Sequence, residues 1–210
     1  MKIIGFSSGG VGHLGNTDRM VQAILAKSGC DSEFVKLTDI TFSGCKGCVD
    51  LCAKPQVCGL DDEARPYYQK IKEADAVVMG CTVYSGGINA IASSFIERFF
   101  GYRHVSLAIK DKPFVCVVCG YRTIDNAVEQ VEKKLKSQGI KVLETVKYLS
   151  SSPPCLYCGR HRECSIGGLY RMMGEASHSL TITPELFHRW ENDCNTVTAI
   201  EEAAAKLRSI

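Results

Sequence analysis

The chain has 210 residues, 45% of them hydrophobic, and a formal net charge of +2. That length suits one α/β domain with an appendage, and the apolar fraction supports a sizeable core. The balanced charge excludes a broadly basic surface for nucleic acid or anionic membrane, and no apolar stretch approaches bilayer-spanning length.

The opening segment, "MKIIGFSSGG", lacks a signal-peptide core and cleavage site, so a cytoplasmic protein with reduced thiols is expected. Lys2–Ser7 reads as a strand. Asn16 or Thr17 caps a helix through Ser28, with Met20, Ile24 and Leu25 on its buried side. Ser32–Leu37 is a second strand, followed by the cysteine-rich stretch Ser43–Asp62. Asp61 or Asp62 caps a helix to about Ala74. Ala76–Cys81 is an apolar strand of the kind covered on both faces. Ile88, Ile91, Phe95 and Phe99 mark the next helix. Pro113–Cys119 is a fourth strand, Ile124, Val128, Val131 and Leu135 mark its helix, and Lys141–Leu149 is a fifth strand. Beyond Ser150 lie a second cysteine loop and two helices, around Pro184–Asn192 and Val197–Leu207.

Strands alternating with helices predict a doubly wound five-stranded parallel sheet of flavodoxin-like order 2-1-3-4-5. The domain expected is 1–150, with the cysteine loop 43–62 after strand 2. Residues 151–210 form a helical extension, packed on the same domain or on a neighbouring subunit.

The loop "FSSGGVGHLGNTDRM" contains Gly10-x-Gly12-x-x-Gly15, a weak dinucleotide match. Its length, its hydroxyls and a helix cap after the last glycine favour a terminal monophosphate, hence FMN over NAD. An ordinary glycine-rich turn is the bland alternative. The twelve cysteines fall below disulfide-scaffold density. Cys45, Cys48, Cys52 and Cys58 have the spacing of iron-sulfur or zinc ligands, against a metal-free thiol loop. Cys155, Cys158 and Cys164 offer three thiolates, with Cys194 and His161 as candidates for a fourth ligand. Strands 2 and 5 are opposite edges, so the two loops stand roughly 20 Å apart within a subunit. Cys116 and Cys119 point to opposite sheet faces and are discounted as a pair. Cys30 sits at a turn away from the loops, and Cys81 ends a central strand.

The segments "SSGGVGHLGNT", "CKGCVDLCAKPQVCGLDD" and "CTVYSGGINAIASSFIERF", in this order, resemble the iron-sulfur flavoprotein family within the NADPH-dependent FMN reductase superfamily. The resemblance covers roughly the first 150 residues. It implies that Ser7, Ser8, Gly15, Asn16 and Thr17 hold the FMN phosphate. It implies that Thr82, Val83, Tyr84, Ser85, Gly86 and Gly87 line the flavin ring, and that Cys119, Gly120, Tyr121 and Arg122 form a third flavin loop. Arg122 would stabilise charge on reduced flavin. The chain departs from the family pattern in three places. Thr82 replaces a usual proline, Ser93-Ser94 and Glu97-Arg98 replace a lysine and an Asp-Arg pair, and three residues rather than two separate Cys48 from Cys52. The implied function is a redox protein with FMN and a 4Fe-4S cluster in the first loop. A second cluster or a zinc knuckle would occupy the second loop. Partners would be a ferredoxin-like carrier or a small-molecule acceptor, the assembly a homodimer or homotetramer, and no residue would act as acid or base. The rival readings are an NAD(P)H-dependent FMN or quinone reductase with structural zinc, and a thiol or metal sensor.

Overall fold

The computed structural model describes residues 1–210. Its strands are β1 (Lys2–Ser7), β2 (Asp31–Lys36), β3 (Ala76–Tyr84), β4 (Gly87–Ile88), β5 (Pro113–Tyr121) and β6 (Lys141–Ser150). Its α-helices are α1 (Asn16–Ser28), α2 (Val49–Ala53), α3 (Arg65–Glu73), α4 (Ala90–Glu97), α5 (Asp125–Lys136), α6 (Cys155–Cys158), α7 (Gly168–Met173) and α8 (Cys194–Arg208). The parallel sheet runs β2-β1-β3-β5-β6, which is the expected order of the five long strands. The added strand β4 folds back antiparallel on the end of β3. Ser85 and Gly86 both have positive φ, 51° and 80°. That is the turn geometry whose twist matches a two-residue hairpin, and Gly86 adopts it without a Cβ penalty.

The pairing register brings the carboxyl ends of the central strands level. Ser7 pairs with Lys36 on one side and with Gly80 on the other, and Thr82 pairs with Cys119. The continuous apolar runs of β3 and β5 are explained by helices on both faces. One face carries Phe6, Tyr68, Phe95, Phe99, Tyr102 and Phe114 beneath α3, α4 and α5. The other carries Met20, Val21 and Ile24 of α1 with Trp190, Ile200, Ala203 and Leu207 of the tail. Cys116 lies in the first layer and Cys119 in the second, as strand alternation requires. Gly80 lets α1 approach β3: a Cβ there would stand 2.6 Å from Val21 and 3.0 Å from the Phe6 carbonyl oxygen.

Two expectations are corrected. The first helix is capped by Gly15, not by Asn16 or Thr17. The Gly15 N–H donates to Asp18 in the first helical turn at 2.8 Å, so a side chain inside the helix does the capping. The segment Pro184–Asn192 is not a helix but two 3-10 turns, Pro184–Leu186 and Trp190–Asn192. Ser152 donates to the Leu186 carbonyl at 2.8 Å and accepts from the His188 N–H, which holds the chain extended between the turns. Trp190 is thereby delivered into the core, 6% exposed.

The helix α8 packs on α1 and β6. Its Leu207 is fully buried, so Leu207→Ala is expected to cost about 2–5 kcal/mol of stability. Urea denaturation would measure it, and a loss under about 0.5 kcal/mol would mean that α8 is not part of the core.

Candidate flavin and metal site

Three loops meet at the carboxyl ends of β1, β3 and β5, where open α/β sheets bind ligands. Their side chains lock the loops to one another. The Ser8 hydroxyl accepts from the Thr82 N–H at 3.0 Å, and the hydroxyls of Thr17 and Thr82 lie 2.9 Å apart. Asn89 caps α4 by accepting from the Ala92 N–H at 3.0 Å, and its amide donates to the Ser8 carbonyl at 2.8 Å. Thr82 therefore supplies an N–H that the first loop uses.

The side chains expected to hold phosphate are mostly engaged inside the protein. Ser7 and Ser8 are fully buried. Ser7 donates to the Asp18 carboxylate at 2.6 Å, and Lys36 pairs with the same carboxylate at 3.1 Å. The Asn16 amide donates to the His188 carbonyl, and its oxygen accepts from Trp190 and Arg19. Backbone supplies what these side chains do not. The N–H groups of Gly10 to Leu14, and those of Asn16 to Asp18 in the first turn of α1, have no protein acceptor. Gly12 has φ +81°, so the loop can turn several of those donors to one side. Unspent donors at a helix N-terminus suit a phosphate, and Lys36 neutralises the nearby Asp18. The residues present fit FMN.

In the ring loop, Val83 and Tyr84 form the hairpin with Ile88 and Gly87, and the Gly86 carbonyl accepts from Asn126 at 2.8 Å. Tyr84 is 58% exposed, open to a planar ligand. In the third loop, Gly120 is packed against Ile124 and Val83. Tyr121 donates to the Met172 sulfur at 3.2 Å, and Arg122 is held at φ +75°. Burial pushes the Cys81 thiol up to about 12 and the Cys119 thiol up to about 11. Both stay protonated near neutrality and supply no thiolate nucleophile.

The first cysteine loop is organised by Arg98, which is 1% exposed. Its guanidinium pairs with Asp62 at 2.7 Å, donates to the Ser43 carbonyl at 3.3 Å and to the Cys58 sulfur at 3.1 Å. It also lies 4.6 Å over the Tyr68 ring. Both ends of the loop and one of its thiols thus hang on one cation. Cys52 approaches His104 at 3.0 Å. Its thiol is raised by burial first, and then by repulsion from Cys48, Cys58 and Cys45. Nowhere in the chain do three cysteine, histidine or carboxylate side chains converge at metal-ligating distance, so the loop gathers its thiols without closing them on a point. The donor set still fits an anionic cluster. Four thiols lie close enough to repel, and a buried cation beside Cys58 has its second terminal nitrogen, Nη2, unpartnered.

The second loop stands at the opposite sheet edge, after β6, as the topology required. Cys155, Cys158, His161 and Cys164 line one small cavity. Cys194 lies outside it, exposed at the start of α8. The segment from the second loop to α8 straps the phosphate loop and α1: Tyr157 of α6 stacks on His13 at 4.9 Å, and Glu191 pairs with Arg19 at 2.7 Å.

A sequence profile of NADPH-dependent FMN reductases matches residues 1–154, nearly three quarters of the chain. The chain belongs to the NADPH-dependent FMN reductase family. It is 35% identical over 101 residues to an iron-sulfur flavoprotein of Methanocaldococcus jannaschii, covering 47% of this chain and 51% of that protein. It is 33% identical over 92 residues to one of Archaeoglobus fulgidus, covering 44% and 45%. The matches thus span about half the length of these relatives. In fold it is similar to the crystal structure of an azoreductase, with TM-score 0.61 and 14% identity over the full length of both. The family match falls on the three loops built by β1, β3 and β5. It ends before the second cysteine loop, which begins at Cys155.

The structural roles of Asn89, Asp18, Lys36 and Arg98 were missed by sequence reasoning, which noted Arg98 only as a departure from the family pattern. Asn89 directly before an apolar helical run was a readable cap signal. An arginine inside "FIERFFGY" was a readable sign of a buried pair.

The Arg98 pair gives one prediction. Arg98→Met leaves Asp62 without its partner and is expected to cost about 3–5 kcal/mol, read by urea denaturation; a change under about 1 kcal/mol would place Arg98 outside the loop's support. The thiols give another. Folded Cys81 and Cys119 hold their protons far above the ordinary value of about 8.5, so their contribution to stability is whole below that pH and falls as pH rises toward 11 to 12. Iodoacetamide at pH 9 should label Cys194 and leave Cys81 and Cys119 unmodified until denaturant is added. Equal labelling of all three in the native state would contradict the burial argument.

Proposed function

We propose that this chain is a flavin-dependent redox protein that carries FMN on the three loops and a 4Fe-4S cluster on Cys45, Cys48, Cys52 and Cys58. The observation that carries the proposal is the adjacency of two built sites on one element. The segment Asn89–Arg98 caps against the phosphate loop at one end and anchors the cysteine loop at the other. FMN exchanges one or two electrons and a cluster one, so together they would connect a one-electron carrier of the ferredoxin type to a two-electron donor or acceptor.

The protein's own residues do the positioning. The free N–H groups of Gly10 to Leu14 and the N-terminus of α1 bind the phosphate. Thr82 to Gly87 and Cys119 to Arg122 bound the ring, with Tyr84 open to cover it. Arg98 holds Cys58 and offers its charge to the thiolates. His104, 3.0 Å from Cys52, donates to that sulfur or accepts its proton when the thiol is free. No acid–base group is required, and Cys81 and Cys119, buried in β3 and β5, would help keep water from the flavin site. A homodimer or homotetramer is the assembly we propose, with Tyr84 and Met172, exposed beside the flavin loops, available for burial between copies.

Gly101 gives a test that separates the two cofactors. A Cβ there would stand 2.8 Å from the Cys58 backbone nitrogen, so Gly101→Ala must displace the cysteine loop, at about 1–3 kcal/mol. In anaerobically purified protein it is expected to lower iron and acid-labile sulfide several-fold while FMN per chain is retained. Cys58→Ser should do the same. Zinc in place of iron and sulfide in the unmodified protein would overturn the cluster and favour an NAD(P)H-dependent FMN or quinone reductase. Absence of FMN would overturn the flavin.

A further inference from the structure

We propose that the second cysteine loop is a tetrahedral zinc site, with Cys155, Cys158, Cys164 and the Nδ1 of His161 as ligands. It is separate from the flavin and from the first cysteine loop, and neither is needed for the argument.

The sulfurs come first. Cys155 and Cys158 stand three apart in α6, which puts them on one helix face. Gly159 ends that helix in the left-handed conformation and turns the chain back so that Cys164 faces Cys155. The Cys155 and Cys164 sulfurs both approach Gly167, at 2.9 and 3.0 Å from the point where a Cβ would stand. The absence of a side chain at Gly167 keeps that point open between two thiols. The Gly167 N–H donates to the Cys164 sulfur at 3.2 Å, a bond that stabilises a thiolate.

The histidine is the independent observation. His161 is 6% exposed and lines the same cavity as the three cysteines. Its Nε2 is 2.9 Å from the Leu180 carbonyl. A carbonyl only accepts, so Nε2 carries the proton and Nδ1 carries the lone pair. That Nδ1 is buried and has no partner. A buried acceptor left unsatisfied is costly unless something fills it. A metal-binding histidine shows this arrangement: one ring nitrogen donates to a backbone carbonyl, which fixes the tautomer, and the other faces the metal.

Three thiolates and one imidazole are a closed structural zinc set. The four groups line one small cavity without converging at metal-ligating distance, so binding would require side-chain rotation that brings them together. Cys194 is excluded as a ligand by its position at the start of α8. The site has a structural consequence within the fold. Tyr157, between two of the ligands, is the residue that stacks on His13 of the phosphate loop, so zinc would fix the strap over that loop.

The test uses the full chain with Cys48→Ser and Cys52→Ser, which silence the first loop. Metal analysis of the purified protein is expected to find about one zinc per chain, and cobalt(II) added to the chelator-treated protein to give tetrahedral bands with thiolate-to-cobalt charge transfer. His161→Ala in that background should shift those bands and weaken zinc about tenfold or more, and Cys164→Ala should abolish binding. Neither zinc nor a tetrahedral cobalt spectrum in the silenced chain would overturn the site. So would zinc retained in Cys164→Ala, a cobalt spectrum untouched by His161→Ala, or iron and sulfide in place of zinc. Should Cys164→Ala fail to fold, the cobalt spectrum of the silenced chain and its response to His161→Ala decide the matter.

Discussion

The guanidinium of Arg98 is the constraint on which the first cysteine loop and its surroundings depend. A buried cation is costly unless paired and hydrogen-bonded. Arg98 meets that requirement with Asp62, the Ser43 carbonyl, the Cys58 sulfur and the Tyr68 ring. Because Ser43 and Asp62 are the two ends of the cysteine loop, satisfying one charge closes the loop. Tyr68 in turn donates to the Phe95 carbonyl at 3.0 Å and Tyr102 to the Tyr68 carbonyl at 2.7 Å. The loop is thereby fastened to the aromatic layer beneath the sheet, and its geometry is set by the core rather than by its own sequence.

A second polar knot does the same for the phosphate loop. The Asp18 carboxylate gathers Ser7, the Gly15 N–H and Lys36. It caps its own helix and frees the outer backbone of the loop to face a ligand. Thr82 and Asn89 tie that loop to the ring loop. The cost is that the serine and threonine hydroxyls serve the scaffold, which leaves main-chain N–H groups and the helix dipole as the loop's free anion donors. The tail completes this end: its tryptophan fills the α1 layer, and Tyr157 covers His13.

Long elements were legible in the sequence because their burial is simple. β1 was read to the residue, and β3, β5 and β6 were read short only at their carboxyl ends, where they leave the core and enter the flavin loops. The cap of α1 was misread because Asn16 and Thr17 are cap residues by type, while the actual cap is a glycine served by Asp18. The hairpin at β4 was hidden in "YSGG", a segment read only for its ligand contacts. The Pro184–Asn192 segment has helical composition, yet Ser152 and Asn16, distant in sequence, capture its backbone. The three segments named by the resemblance meet at the carboxyl ends of β1, β3 and β5, but a pattern cannot tell which hydroxyl turns inward. The second loop lay beyond the family match, and spacing alone left Cys194 and His161 equal as candidates. The structure separates them: Cys194 lies outside the cavity the three cysteines line, and the unpartnered Nδ1 belongs to His161, which lines it.

The central claim is that FMN and a 4Fe-4S cluster share this chain. The most direct measurement is an anaerobic reductive titration of the purified protein, followed by absorption and electron paramagnetic resonance, beside Cys58→Ser. The account predicts about three electrons taken up per chain, falling to about two in the variant with the cluster signal lost and the flavin bands intact. Uptake of about two electrons by both proteins, with no cluster signal in either, would contradict it.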